Sequence, residues 1–186
     1  LVLIVTEGEE TEPRYFEALK VRWRLTGVKV RKASASAPIH VVETAIRLRE
    51  AAKASRGSAF QAPFDEVWAV VDQDQHSTLK DALALARREG VKVALSKPCF
   101  EVWLLLHHLP SMKPLVSADQ VRNELLQRLP QYSKSMEMTE LVQLAEVAIS
   151  NAEAVELRLQ EEGMGGYPST TVHHLVRGLA SLRREP

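Results

Sequence analysis

Two unbroken apolar runs stand out along the chain: Leu1-Val2-Leu3-Ile4-Val5-Thr6 and Val67-Trp68-Ala69-Val70-Val71. Each is of strand length, apolar on both faces and closed by polar residues, the pattern of a fully buried parallel strand. Val28-Lys29-Val30-Arg31-Lys32 instead alternates apolar with basic residues, which predicts an edge strand. A fourth strand is expected over Val91 to Leu95, ending at Ser96-Lys97-Pro98.

Helical spacing falls between these runs. Tyr15, Phe16, Leu19 and Trp23 share one face of a helix with Thr11 as its cap, Pro13 in its first turn and Gly27 as its stop. Val41, Val42, Ala45, Ile46 and Leu48 mark a second helix after the loop Ser34 to Pro38. A loop is expected over Ser55 to Pro63. Thr78 with Asp81 reads as a capping box opening a third helix, which Gly90 stops. Phe100 to His108 reads as a short apolar helix. Strand and helix thus alternate four times, which predicts an α/β fold with a doubly wound, mainly parallel four-stranded sheet.

After Pro110 the pattern is helical throughout: Ser117 to Leu129 with Ser117 and Gln120 as capping box, Thr139 to Glu162, then Thr170 to Arg184 beyond the turn Gly165-Gly166-Tyr167-Pro168. The expected organisation is an α/β domain over 1–110 and a C-terminal helical extension over 111–186, packed on the sheet domain.

Both buried runs end in acid. Glu7-Gly8 follows the first, and Asp72-Gln73-Asp74 the second. Sites in open α/β sheets form at the carboxyl ends of strands. If these strands are neighbours, Glu7, Asp72 and Asp74 meet in one crevice. Three carboxylates resist ionising together without a cation. A hard divalent ion, Mg²⁺ or Mn²⁺, and hence phosphate chemistry, is the economical reading. Asp72 and Asp74 stand two apart, so in extended backbone they point the same way. The competing reading makes the Asp-x-Asp a polar loop with capping duties, and makes Glu9, Glu10 and Glu12 favourable charges at a helix N-terminus.

Net charge is +0 and gives no general grip on nucleic acid. Locally, Arg14, Lys20, Arg22, Arg24, Lys29, Arg31 and Lys32 crowd together against Glu17. They form either a solvated helix face with an edge strand, or a phosphate-contacting strip beside the crevice. Cys99 is the single cysteine, so no intrachain disulfide forms, in keeping with a cytoplasmic setting. No run is long and apolar enough to span a membrane, and no membrane partner is expected. The chain opens at Leu1 inside a predicted strand, so residues upstream are expected. There is no Gly-x-x-x-x-Gly-Lys-Ser/Thr loop, so nucleotide-driven work would need a partner. His107-His108 and His173-His174 are adjacent pairs, expected to point to different helix faces and to chelate poorly.

Four segments carry a family resemblance: Glu7-Gly8-Glu9-Glu10-Thr11-Glu12-Pro13-Arg14-Tyr15-Phe16, Asp72-Gln73-Asp74-Gln75-His76, Pro98-Cys99-Phe100-Glu101-Val102-Trp103-Leu104-Leu105-Leu106-His107 and, more weakly, Tyr167-Pro168-Ser169-Thr170-Thr171-Val172. Together they resemble the TOPRIM domain of topoisomerases, primases and overcoming-lysogenization-defect nucleases. The closer resemblance is to the RloB-like family, linked to abortive phage resistance. It departs at Lys97 and at Tyr167-Pro168, where Asn and Asn-Pro are expected. The resemblance implies a TOPRIM-like fold, Mg²⁺-dependent cleavage of DNA or RNA, and a defence role beside an ATPase; a homo-oligomer is left open. It implies Glu7 as general acid or base and Asp72 and Asp74 as the metal pair, with Glu7 counted as a further ligand. Gly8, Arg14, His76, Lys97 and Glu101 are candidate substrate contacts, Glu101 also as partner of Lys97 or Arg14. The alternatives are a non-catalytic regulatory partner of an ATPase, and nucleotidyl or glycosyl transfer at the same crevice.

Overall fold

A computed structural model describes residues 1–54, 63–73, 77–161 and 166–183. Strands β1 (Val2–Thr6), β2 (Val28–Lys32), β3 (Glu66–Asp72), β4 (Lys92–Lys97) and β5 (Ser169–Thr170) form one sheet in the order β2-β1-β3-β4-β5. The first four strands are parallel, and β5 runs antiparallel to β4. The sheet is therefore five-stranded and mostly parallel, not four-stranded. Ser169, between the expected turn and helix, and Thr170, expected to open the helix, make the fifth strand, because Ser96 and Thr170 pair at the sheet's open edge.

Side-chain alternation explains the two layers. Val2 and Ile4 of β1, with Trp68 and Val70 of β3, enter one core; Leu3 and Val5, with Val67, Ala69 and Val71, enter the other. The second core is covered by helices α2 (Pro38–Ala54) and α3 (Leu79–Glu89). The first is covered by α1 (Thr11–Trp23), α4 (Glu101–Leu105), α5 (Ala118–Arg128), α6 (Ala145–Glu161) and α7 (Val172–Ala180). β2 lies at the edge, as its alternation predicts, with Val28 and Val30 buried and Arg31 and Lys32 exposed.

Several boundaries differ from expectation for local reasons. Helix α1 stops at Arg24, which takes the left-handed conformation (φ 53°) and ends the helix before Gly27 is reached. The N-cap position of α1 is Glu10, not Thr11. Thr78 precedes α3 but makes no capping bond, and its hydroxyl is buried without a partner. Gly90 ends α3 with φ 67°, and the Ser117 hydroxyl accepts from Gln120 N at 3.3 Å, both as expected. Strand β4 continues through Lys97. The helix expected from Thr139 begins instead as a 3-10 turn, Leu141–Leu144. Most of the expected loop over Ser55 to Pro63 lies outside the described residues. Among the described residues, no helix is long and apolar enough to cross a membrane.

Candidate active site at the carboxyl edge of the sheet

β1 and β3 are direct neighbours, with Thr6 opposite Val70. The residues that follow them therefore emerge side by side. Glu7 N donates to Val70 O at 3.1 Å, and its carboxylate Oε2 turns back to accept from Asp72 N, also at 3.1 Å. Glu7 and Asp72 line one crevice of about 570 Å³ together with Gly8, Glu12, Cys99 and Glu101.

Gly8 is tied to Glu12. Its N–H donates to Glu12 Oε1 at 3.0 Å, and its carbonyl accepts from the Thr6 hydroxyl at 3.1 Å. A Cβ on Gly8 would stand 2.0 Å from Glu12 Oε2. Space, rather than backbone twist, demands glycine here. The group that approaches Gly8 closely is thus Glu12 of the chain itself. Glu12 lies in the first turn of α1, where side chains lean back toward the N-terminus. That lean carries its carboxylate into the crevice, buried to 6% exposure. Burial raises the Glu12 pKa, and the Glu101 charge adds to the rise against the Gly8 N–H bond.

Asp72 is the electrostatic focus. Burial raises its pKa well above the ordinary carboxylate value, and the charges of Glu12, Glu7 and Glu101 raise it further, against a bond from the Phe100 backbone. Glu101 stands at the start of α4 and is buried. Its Oε1 accepts from the Tyr132 hydroxyl at 3.0 Å and from Arg122 Nε at 3.4 Å. Its partners are these two residues, rather than the Lys97 or Arg14 expected from the sequence. Arg122 and the exposed Lys134 also line the crevice, so its acid floor has a cationic rim.

Other expected site residues fall elsewhere. Arg14 is exposed and is not among the crevice-lining residues, nor is any other member of the basic strip. Lys97 lines a different cavity, of about 490 Å³, with Glu156, Thr170 and Thr171. Asp74 and His76 lie outside the described residues. The Tyr167 segment does join this end of the sheet: Tyr167 OH accepts from Gln73 Nε2 at 2.8 Å.

Sequence reasoning missed the crevice residues Glu12, Arg122 and Lys134, and Tyr132, which bonds to the crevice residue Glu101. Glu12 carried a signal in its place four residues after Gly8, on a helix's first turn. The other three lie on segments with no local motif. Cys99 is buried, and burial pushes its thiol pKa upward. His107 is a core residue, held between Tyr15 OH at 3.1 Å and Trp103 O at 3.0 Å, with its pKa pulled down to about 3 by burial. His173 and His174 contradict the expectation of divergent faces, since both Nε2 atoms meet Glu156, each at 3.2 Å. Two carboxylate oxygens, one per ring, bridge the angular gap between adjacent helical positions.

A family model described as RloB-like protein matches residues 2–179. The chain belongs to the RloB-like family. No curated protein and no solved structure matches it. In this RloB-like chain the matched span includes every crevice-lining residue, from Glu7 to Lys134. Membership fits a setting in anti-phage defence.

Proposed function

We propose that this RloB-like chain is a divalent-metal-dependent phosphodiesterase of TOPRIM-like fold that cleaves nucleic acid, DNA or RNA, in anti-phage defence. The observation that carries the reading is the convergence of Glu7, Glu12, Asp72 and Glu101 on one crevice, with Asp72 held above its ordinary pKa by burial and by its neighbours.

The donor type suits Mg²⁺ or Mn²⁺, because the crevice offers hard carboxylate oxygens and room for water and a phosphate oxygen, although among the described residues no three of these carboxylates bring ligand atoms within 4.8 Å of one another. Asp72 and Asp74 would hold the ion, with Glu7 completing the set. Bound there, such an ion stabilises charge on phosphoryl oxygens and lowers the pKa of coordinated water.

The chain's own residues supply the rest. Glu7 is placed to exchange a proton with the attacking or leaving oxygen, a contribution of roughly 10²–10⁴-fold. The bond from Asp72 N keeps its Oε2 oriented. Glu12 holds Gly8 and so fixes the loop that carries Glu7. Arg122 and Lys134 offer cations to a phosphate backbone at the crevice mouth. An ATPase partner would supply nucleotide-driven regulation; Gly8, His76 and Glu101 remain candidate substrate contacts at the crevice, and Arg14 and Lys97, which do not line it, would touch substrate only beyond its rim.

Metal-dependent cleavage of single- and double-stranded DNA and RNA by the purified chain tests the reading. Glu7→Gln and Asp72→Asn should each abolish cleavage while the protein stays folded. Equal cleavage by wild type and both variants would overturn it. Absence of both cleavage and millimolar metal binding would favour a non-catalytic regulatory module instead.

A further inference from the structure

Helices α6 and α7 carry a second constellation, away from the crevice. Glu156 lies on α6, and His173 and His174 form the first turn of α7. His173 Nε2 stands 3.2 Å from Glu156 Oε2, and His174 Nε2 stands 3.2 Å from Oε1. Among the described residues, this is the trio of His, Cys, Asp or Glu side chains whose ligand atoms all lie within 4.8 Å of one another.

Three features distinguish it from an ordinary surface ion pair. First, His173 is fully buried at 0% exposure, and its Nδ1 has no hydrogen-bond partner. If Nε2 carries the ring proton and donates to Glu156, Nδ1 is an orphaned acceptor. If Nδ1 carries it, the Nε2 lone pair faces a carboxylate lone pair, a clash that a metal cation or one further proton between them resolves.

Second, the two rings lie with centroids 4.0 Å apart, so both cannot readily be charged. Third, the spacing suits a small ion. Tetrahedral ligands at about 2.0–2.1 Å from Zn²⁺ sit roughly 3.3 Å from each other. Each N···O separation is close to that edge, one to each oxygen of the Glu156 carboxylate, and one ligand atom from each residue falls within 4.8 Å of the others.

We propose that Glu156, His173 and His174 form a zinc-class metal site that clips α7 to α6, distinct from the hard-oxygen crevice at Asp72. Two imidazoles and one carboxylate suit Zn²⁺ rather than Mg²⁺. His174 is 49% exposed, which leaves the outer side for a water as fourth ligand. The clip also bears on the sheet. Helix α7 follows β5 directly, so a fixed α7 start keeps Thr170 against Ser96.

The test uses the whole chain, stripped with chelator and titrated with Co²⁺ as a spectroscopic probe, then with Zn²⁺ in competition. Wild type and Asp72→Asn should each bind one equivalent with tetrahedral-type visible absorption, displaced by Zn²⁺, and Zn²⁺ should raise the melting temperature of both. His174→Ala and Glu156→Gln should weaken binding by at least about 100-fold, on the scale that even outer-shell losses approach. Neither substitution opens the core, because His174 is exposed and Gln keeps the shape of Glu156. An absent signal in wild type, or an unchanged one in both variants, overturns the site. So does loss confined to Asp72→Asn, which would assign the ion to the crevice.

Discussion

The carboxylate of Glu7 accepts a hydrogen bond from the backbone N–H of Asp72, 3.1 Å away and 65 positions along the chain. The bond exists because β1 and β3 are adjacent and parallel, with Thr6 beside Val70, so that Glu7 leaves β1 within reach of the amide that ends β3. It anchors an acid to the main chain of the strand that bears its partner acid. Side chains held this way keep their geometry without relying on loop order.

A side chain at Gly8 should displace Glu12. In Gly8→Ala the added methyl meets Glu12 Oε2, so Glu12 must swing out and the Gly8 N–H bond is lost. The expected cost is about 1–3 kcal/mol, typical of overpacking. Glu12→Ala in the same background should remove most of that penalty, a coupling that chemical denaturation of the four-member cycle would show. Additive losses would mean that the two residues do not meet.

Asp72 should destabilise the metal-free protein at neutral pH. Its folded pKa lies above its unfolded one, so between the two values the folded state binds more protons. Stability attributable to Asp72 therefore falls as pH rises from about 4 through its folded pKa. Glu12 acts in the same direction. Melting in chelator from about pH 4 to about pH 8 should show the decline in wild type and a flatter curve in Asp72→Asn, with the variant gaining about 2–4 °C at neutral pH for each kcal/mol relieved. Mg²⁺ should restore wild type and leave the variant unmoved. A variant that melts lower than wild type at neutral pH without metal would contradict this account.

The short strand β5 should depend on one hydroxyl pair. Ser96 Oγ and Thr170 Oγ1 lie 2.9 Å apart in the core, and Thr170 Oγ1 also accepts from Val172 N at 3.2 Å. Thr170→Val keeps the shape but orphans both partners, at a cost of about 1–3 kcal/mol. Urea denaturation should show a lower midpoint with an unchanged slope. An unchanged midpoint would mean that the pair contributes nothing net.

Much of the fold was readable from local pattern. Continuous apolar runs marked β1 and β3, alternation marked β2 as an edge, and Gly90 marked the end of α3. Where reading failed, a tertiary contact outweighed the local signal. Ser169-Thr170 is too short to carry strand periodicity and becomes a strand only because β4 offers it an open edge. Arg24 adopts a conformation usually left to glycine, so Gly27 is not needed as a stop. Thr78 has the chemistry of a cap, yet its hydroxyl finds no amide.

At the crevice, Glu7 and Asp72 were legible because Glu7 directly follows β1 and Asp72 closes β3, and a strand's end fixes its place in a parallel sheet. Arg122 and Tyr132 were not, since they reach Glu101 across 21 and 31 positions from segments without a motif. The same holds for Glu156 and the two histidines. Short-range patterning and the strand-end acids come from the amino-acid order alone, because they rest on periodicity and on where apolar runs stop. Which distant side chains face one another was decided only when the helices packed, because burial in a shared core places groups that no local spacing relates.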